Sequence, residues 1–204
     1  MLLVKSKYKI AKRLGAGIFE QTQTQKFALS EARSKNRKDR KGRRGASDYG
    51  RQLLEKQKVR FTYGIPEKQL YNYAKKAVDA PDPSAALHKA LEMRADNVVY
   101  RAGLAKTRRA ARQMVSHGHV KINDRRITIP SYAVHKGDVI SVREGSRRKG
   151  IFSKLGDENE GAAIKCTWIS LDAGLMRAEV NGEPQLIHLE TGIDYPTVFE
   201  FYSR

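Results

Sequence analysis

The chain of 204 residues is strongly basic: forty Lys and Arg stand against twenty-two Asp and Glu, a formal net charge of +18. Hydrophobic residues at 40% supply a modest core, and no apolar run approaches the roughly 20 residues a membrane helix needs. A single cysteine, Cys166, excludes an internal disulfide and a zinc site built mainly from thiolates, as expected in a reducing compartment.

The segment 1–14 is basic without an apolar stretch of signal-peptide length, so it is expected to belong to the mature protein. Residues 1–60 hold 18 basic and 5 acidic groups, residues 61–155 hold 19 and 8, and residues 156–204 hold 3 and 9. The first two segments have a polyanion binder's composition; the last reads as a solvated acidic edge or, if functional, as a surface that meets another protein or lies turned away from RNA. At this net charge self-repulsion opposes compaction unless a polyanion neutralises it, which points to nucleic acid. A membrane surface would call for a basic helix with large exposed apolar groups, and none is evident.

Between Gln21 and Tyr49 the chain is polar and weakly periodic, with the run K-N-R-K-D-R-K-G-R-R-G at Lys35–Gly45. Dense like charge and glycine argue against a free-standing helix, and residues 1–46 read as a basic arm that orders against phosphates. Ser47 is an N-cap candidate, with Asp48 in the first turn of a helix to about Val59 whose apolar face is Leu53 and Leu54. After Tyr63-Gly64-Ile65-Pro66, residues Leu70, Tyr73, Ala74 and Ala77 recur at helical spacing. Pro83 opens a further helix to about Arg101, with Leu87, Leu91, Ala95 and Val98 on one face and Gly103 as C-cap.

Thr107 caps a short helix with the buried stripe Ala111, Met114 and Val115; Arg109, Arg112, Gln113 and Ser116 fall on the opposite, exposed side. Gly118 ends it. Val120, Ile122, Ile127 and Ile129 flank an Asn123-Asp124 hairpin turn, and Asp138–Arg143, Ile164–Leu171 and Met176–Val180 read as strands. The fold class is α+β: a mainly helical N-terminal domain plus a small mixed α/β module, with a helix–turn–strand edge packed on a small sheet. The domain boundaries drawn are 1–46 (arm), 47–90 (helical, joined by the tail 182–204) and 91–181 (module).

The chemistry sits on the module's exposed edge. Thr107, Arg108 and Arg109 place a hydroxyl and two guanidinium groups at a helix N-terminus, where free N–H groups and the dipole favour phosphate. Arg112 lies one turn on, and the hairpin adds Lys121, Asn123, Arg125 and Arg126. His117 reads as a helix C-terminal dipole partner or an RNA contact. It pairs with no acid or thiolate at ligand spacing, so neither it nor His119 suggests a metal. Cys166, beside Trp168, is expected on a strand, buried and inert. No stacking pair of aromatics marks a sheet that reads single-stranded bases.

L-E-M-R-A-D-N-V-V-Y-R-A-G (Leu91–Gly103), T-R-R-A-A-R-Q-M-V-S-H-G (Thr107–Gly118), S-Y-A-V (Ser131–Val134) and D-V-I-S-V-R-E closely resemble the RNA-binding module of the small-subunit ribosomal protein S-four family. S-D-Y-G-R-Q-L-L-E-K-Q-K-V-R-F-T-Y-G (Ser47–Gly64) resembles that family's helical domain, and F-E-F-Y-S-R (Phe199–Arg204) its C-terminus. The resemblance implies a structural protein, not an enzyme, that binds a multi-helix junction of small-subunit ribosomal RNA and nucleates assembly of the subunit body. It also implies a position beside the path by which messenger RNA enters, contact with neighbouring ribosomal proteins, and a part in translational accuracy.

The RNA-facing set it implies comprises Ser47, Tyr49, Arg51, Gln52, Lys56, Lys58 and Arg60 on the upstream helix. In the module it comprises Thr107, Arg108, Arg109, Arg112, Gln113, Ser116, His117, Lys121, Asn123, Arg125 and Arg126. No cofactor, metal, membrane or small-molecule substrate is expected, and the expected location is the small ribosomal subunit of the cytoplasm, an organellar ribosome remaining open. The zinc-binding cysteines of many bacterial members are missing from the first forty residues, and Pro196 in I-D-Y-P favours an extended or turned approach to the terminal segment. The alternatives are a free RNA chaperone, which would lack the upstream helical domain, and an RNA-modifying enzyme. The enzyme would need a further catalytic domain of roughly 150 residues.

Overall fold

A computed structural model describes residues 4, 6–39, 47–147, 166–172, 174–187 and 192–203. Along the chain run α1 (Lys7–Leu14), two 3-10 turns (Ala16–Ile18 and Glu20–Thr22), α2 (Gln25–Asp39), α3 (Asp48–Thr62), α4 (Glu67–Val78), α5 (Pro83–Glu92), α6 (Ala95–Arg101) and α7 (Arg108–Ser116). Then follow β1 (Val120–Ile122), β2 (Arg125–Ile127), β3 (Val139–Val142), α8 (Glu144–Arg147), β4 (Ile169–Asp172), β5 (Arg177–Val180) and α9 (Tyr195–Tyr202). They form two compact units: Met1–Ser84 with Ile187–Arg204, and Ala85–Leu186. The residue pattern by itself places boundaries at 46/47, 90/91 and 181/182.

The first unit is helical. Ser47 Oγ accepts from the Gly50 N–H at 3.2 Å and Asp48 occupies the first turn, so α3 starts with a satisfied donor and a favourable charge. Its buried stripe is Gln52, Lys56 and Val59, at i, i+4 and i+7, rather than Leu53 and Leu54, which are half-buried. The polar stripe is buried because α9 lies along α3. Before α9 Asp194 is extended, and its side chain caps the helix by accepting from Thr197 N–H. Pro196 stands in the first turn, where its missing N–H leaves nothing unpaired, so the proline begins the helix instead of forbidding it.

α2 corrects the expectation of a non-helical arm. Of its described side chains, from Gln25 to Arg33, only Phe27 is buried, its ring 6.0 Å from that of Tyr8. One anchor in two turns gives little periodicity to read, yet Lys, Ala, Leu, Glu and Arg are good helix formers. The rest of the basic run, residues 40–46, lies outside the described residues.

The second unit is an antiparallel five-stranded sheet, order β2-β1-β3-β5-β4, packed on α6 and α7. Asn123 and Asp124 have φ of 47° and 64°, which both central positions of a type I′ hairpin turn require. Val120, Ile122, Ile140, Val142, Ala178 and Val180 point to one face and join Val98, Val99, Ala111 and Val115 in the core.

Three expectations change here. The helix expected from Pro83 to Arg101 is broken after Glu92: Arg94 is extended and bridges Ala133. Val134 N–H donates to Met93 O at 2.8 Å, and Ala95 N–H donates to Tyr132 O at 2.9 Å. A chain distant in sequence thus supplies better partners than the helix would. Ile129 is exposed, beyond the end of β2. β4 begins at Ile169, preceded by a turn at residues 167–168, and the half-buried Cys166 lies before that turn, outside any strand; residues 164 and 165 lie outside the described set.

Gly118 ends α7 at φ +68°, and a Cβ there would fall 2.1 Å from Arg126 Nε. Gly118→Ala is expected to destabilise the unit by about 1 kcal/mol or more, read as a lower midpoint in urea.

Candidate nucleic-acid interface

A buried ionic cluster holds the edge together. Arg94 meets Asp96 through two hydrogen bonds of 3.1 Å, and Arg112 Nε donates to the same carboxylate at 2.7 Å. Glu92, 1% exposed, accepts from Arg101 Nε and Nη2 at 2.7 and 2.9 Å and from Asn97 Nδ2 at 2.7 Å. Arg108 Nε donates to Asn97 Oδ1 at 2.8 Å, and its guanidinium lies 4.5 Å from the centre of the Tyr100 ring. The cluster thus joins α5 and α6 to the first turns of α7.

This arrangement divides the expected site residues. Arg108 and Arg112 are drawn inward, with side chains 18% and 14% exposed, and do not stand on the open face with Arg109. Carboxylates buried on the neighbouring helix pull them there, a pairing that the buried stripe of α7 alone does not reveal. Thr107 is the cap, its Oγ1 accepting from Ala110 N–H at 3.1 Å. Asn123 is also engaged internally: Nδ2 donates to Asp138 Oδ1 at 2.7 Å and Oδ1 accepts from Val139 N–H at 2.9 Å.

Arg109, Gln113, Ser116 and His117 are exposed along one side of α7. From Arg109 to Ser116 the axis advances about 10 Å. At the far end Arg126 Nη2 donates to the His117 carbonyl at 3.2 Å, a cation at the negative end of the helix. Arg125 is exposed and Lys121 half-exposed on the hairpin. The structure therefore brings Arg109, Gln113, Ser116, His117 and Arg126 together along the α7 edge, whereas Lys121, opposite Arg126, points to the solvent face of the sheet and Arg125, opposite the core residue Ile122, to the other side.

On α3 the residues separate in the same way. Gln52 and Lys56 are 5% and 6% exposed; Gln52 Nε2 donates to Glu200 Oε2 at 3.0 Å and Lys56 Nζ to Glu67 Oε1 at 2.8 Å. The Lys56 ammonium also lies 4.1 Å from the centre of the Phe201 ring. Both join helices within the unit and are not on its surface. Lys58 pairs with Glu55, and Arg60 faces Glu67 at 3.6 Å. Tyr49 and Arg51 remain exposed, with Tyr49 against Phe201 and Arg51 on Asp48. Sequence reasoning missed Glu92, Arg94, Asp96, Asn97 and Arg101. Their signal was present: two acids, Glu92 and Asp96, stand among the apolar residues Leu91, Met93, Ala95 and Val98.

His88, 3% exposed, sits beside this cluster. Burial holds its imidazole below the ordinary 6.5 against the pull of the Glu92 carboxylate, and the Arg101 charge adds to the lowering. Burial pushes the Cys166 thiol up, which keeps it protonated and unreactive. Among the described residues no three His, Cys, Asp or Glu side chains are grouped so as to hold a metal ion. No described helix is long and apolar enough to cross a membrane.

The S4 domain family matches residues 93–140, and the Ribosomal protein S4/S9 N-terminal domain matches residues 3–94. With the fold, these define the class: a ribosomal protein carrying an RNA-binding module of the S4 type. Small ribosomal subunit protein uS4 of Roseiflexus sp. (strain RS-1) is 42% identical over 202 residues, covering 96% of each chain. That of Persephonella marina is 45% identical over 159 residues, 77% of each, and that of Borrelia turicatae is 36% identical over 200, covering 98% of this chain and 96% of the relative. The chain belongs to the small ribosomal subunit protein uS4 family, whose members are structural, RNA-binding and non-enzymatic constituents of the ribosome.

Two outcomes follow from the geometry. Arg112→Ala, which leaves Asp96 short of a buried partner, is expected to cost about 2 kcal/mol of stability, whereas Arg109→Ala changes it by less than about 0.5 kcal/mol; chemical denaturation measures both. His88, with a folded pKa below its unfolded one, contributes stability that is fully present above pH 6.5 and is lost as pH falls toward the folded value. Stability is therefore expected to decline as pH falls below about 6.5, and His88→Gln to flatten that decline.

Proposed function

We propose that this protein is a primary binder of small-subunit ribosomal RNA and that the exposed edge of α7, with the hairpin β1–β2, grips the phosphates of a multi-helix junction. The observation that carries the reading is the strip Arg109, Gln113, Ser116, His117 and Arg126, oriented by a capped helix and a buried ionic cluster. Contacts of this kind recognise the shape and backbone of RNA helices and position the protein without reading base sequence. On the first unit Tyr49 and Arg51, with Lys58 and Arg60 at its margin, form a second contact. Two units that hold separate helices of one junction make the second contact intramolecular, worth an avidity factor on the order of 10²–10⁴. Such a clamp fixes helix orientation early and so nucleates assembly of the subunit body. A place beside the path of incoming messenger RNA, contact with neighbouring ribosomal proteins and an influence on decoding accuracy accord with the family resemblance.

In a sucrose gradient the tagged chain is expected to co-sediment with the small subunit; a free chaperone would remain at the top. On a junction fragment of small-subunit RNA, affinity is expected to fall by several orders of magnitude between roughly 50 and 200 mM salt if about ten cations engage phosphates. Arg109→Ala is expected to weaken binding by about 1–3 kcal/mol with unchanged thermal stability. Salt-independent binding overturns the proposal.

A further inference from the structure

The solvent face of the sheet carries cations that helix α7 does not account for. The register sets Arg126 opposite Lys121, Lys121 opposite Ser141, and Ser141 opposite Arg177, one row across β2, β1, β3 and β5. Val120, Ile122, Ile140, Val142 and Ala178 alternate with these positions and face the core, so the row faces outward. Arg143, next on the alternation of β3 and opposite His119, is exposed, as is Arg177.

From Arg126 to Arg177 the row crosses three strand intervals, about 14 Å. Lys121 and Arg126 stand directly opposite each other, a like-charge pair that destabilises a sheet unless an anion lies over it. The nearest acid on the row, Asp172 opposite Arg177, accepts from the Leu175 N–H at 3.1 Å in its own turn. Glu179 on β5 and Glu144 at the start of α8 bound the patch without forming an ion pair with Arg143 or Arg177 among the described residues. Ser141 in the middle is small and lets a backbone approach closely.

We infer that this face is a second RNA contact of the same module, taking the phosphate backbone of a double-helical segment over Lys121, Arg143 and Arg177. The inference rests on the proposed RNA-binding role and extends it to a surface that meets the α7 edge only at Arg126. The five strands carry no aromatic residue, so the face holds backbone rather than stacked, splayed-out bases. It also places Arg177, from the acidic final quarter of the chain, against RNA rather than away from it.

The test uses the full-length protein and small-subunit ribosomal RNA, with filter binding across a salt series and backbone footprinting. The double variant Arg143→Gln with Arg177→Gln is expected to lower affinity on the order of threefold to tenfold per charge and to reduce the salt slope by about 2. It is expected to unprotect a backbone segment distinct from the one lost in Arg109→Ala. The variant Arg143→Lys with Arg177→Lys is expected to restore most of the affinity, which a merely structural role would not do. Unchanged affinity, slope and footprint in the Gln variant, with Arg109→Ala still weakening binding, overturns the sheet-face contact alone. If Arg109→Ala is also without effect, the proposed RNA-binding role falls with it.

Discussion

The second unit depends on two buried carboxylates. Glu92 and Asp96 have almost no exposed surface, and each is tolerable in the interior only because guanidinium and amide donors surround it. These contacts set the ends of α5, α6 and α7 with respect to one another. Directional bonds do what a small apolar core cannot do by itself: they give α7 one rotation about its axis, and so decide which arginines look outward. The cluster's energetic return need not be large for this role, since the desolvation of buried charges offsets much of their mutual attraction.

This division of labour among arginines is the main physical lesson of the interface. Three arginines lie within the first five residues of the segment Arg108–Ser116, and composition alone would send all of them to RNA. The structure turns Arg108 and Arg112 toward acids and leaves Arg109 free to meet phosphate. Arg126 has a mixed part, closing the C-terminus of α7 while staying exposed. Positive charge in a polyanion-binding protein is thus partly scaffold.

The first unit uses a related device. Lys56 is buried between Glu67 and the Phe201 ring, and Tyr202 Oη donates to the same Glu67 carboxylate at 2.9 Å. Burial and that hydrogen bond raise the Tyr202 pKa well above its ordinary value, so the phenol stays a donor. One carboxylate joins residues 56, 67 and 202, which are far apart in the chain. Tyr195, fully buried at the start of α9, adds the apolar anchor.

Much of this was legible in the residues. The caps Ser47 and Thr107, the breaks at Pro66 and Gly118, the stripe Ala111-Met114-Val115 and the Asn123-Asp124 turn are local signals, set by hydrogen bonding and backbone sterics within a few positions, and the sequence by itself determined them. It also determined the class of partner, through its charge, and the family, through motifs long enough to be specific. What only the tertiary structure decided are the matters in which distant residues compete. Strand-like pairing with 132–134 breaks the helix at Arg94, because that segment offers the backbone better partners. Gln52 and Lys56 are buried because α9 covers them, and Arg112 is internal because Asp96 lies within reach. Arg177, from the acidic end of the chain, joins the basic face of the sheet because strand register sets it two strands from Lys121. Local pattern specifies which elements form; only folding brings together the charges that choose between one another and solvent.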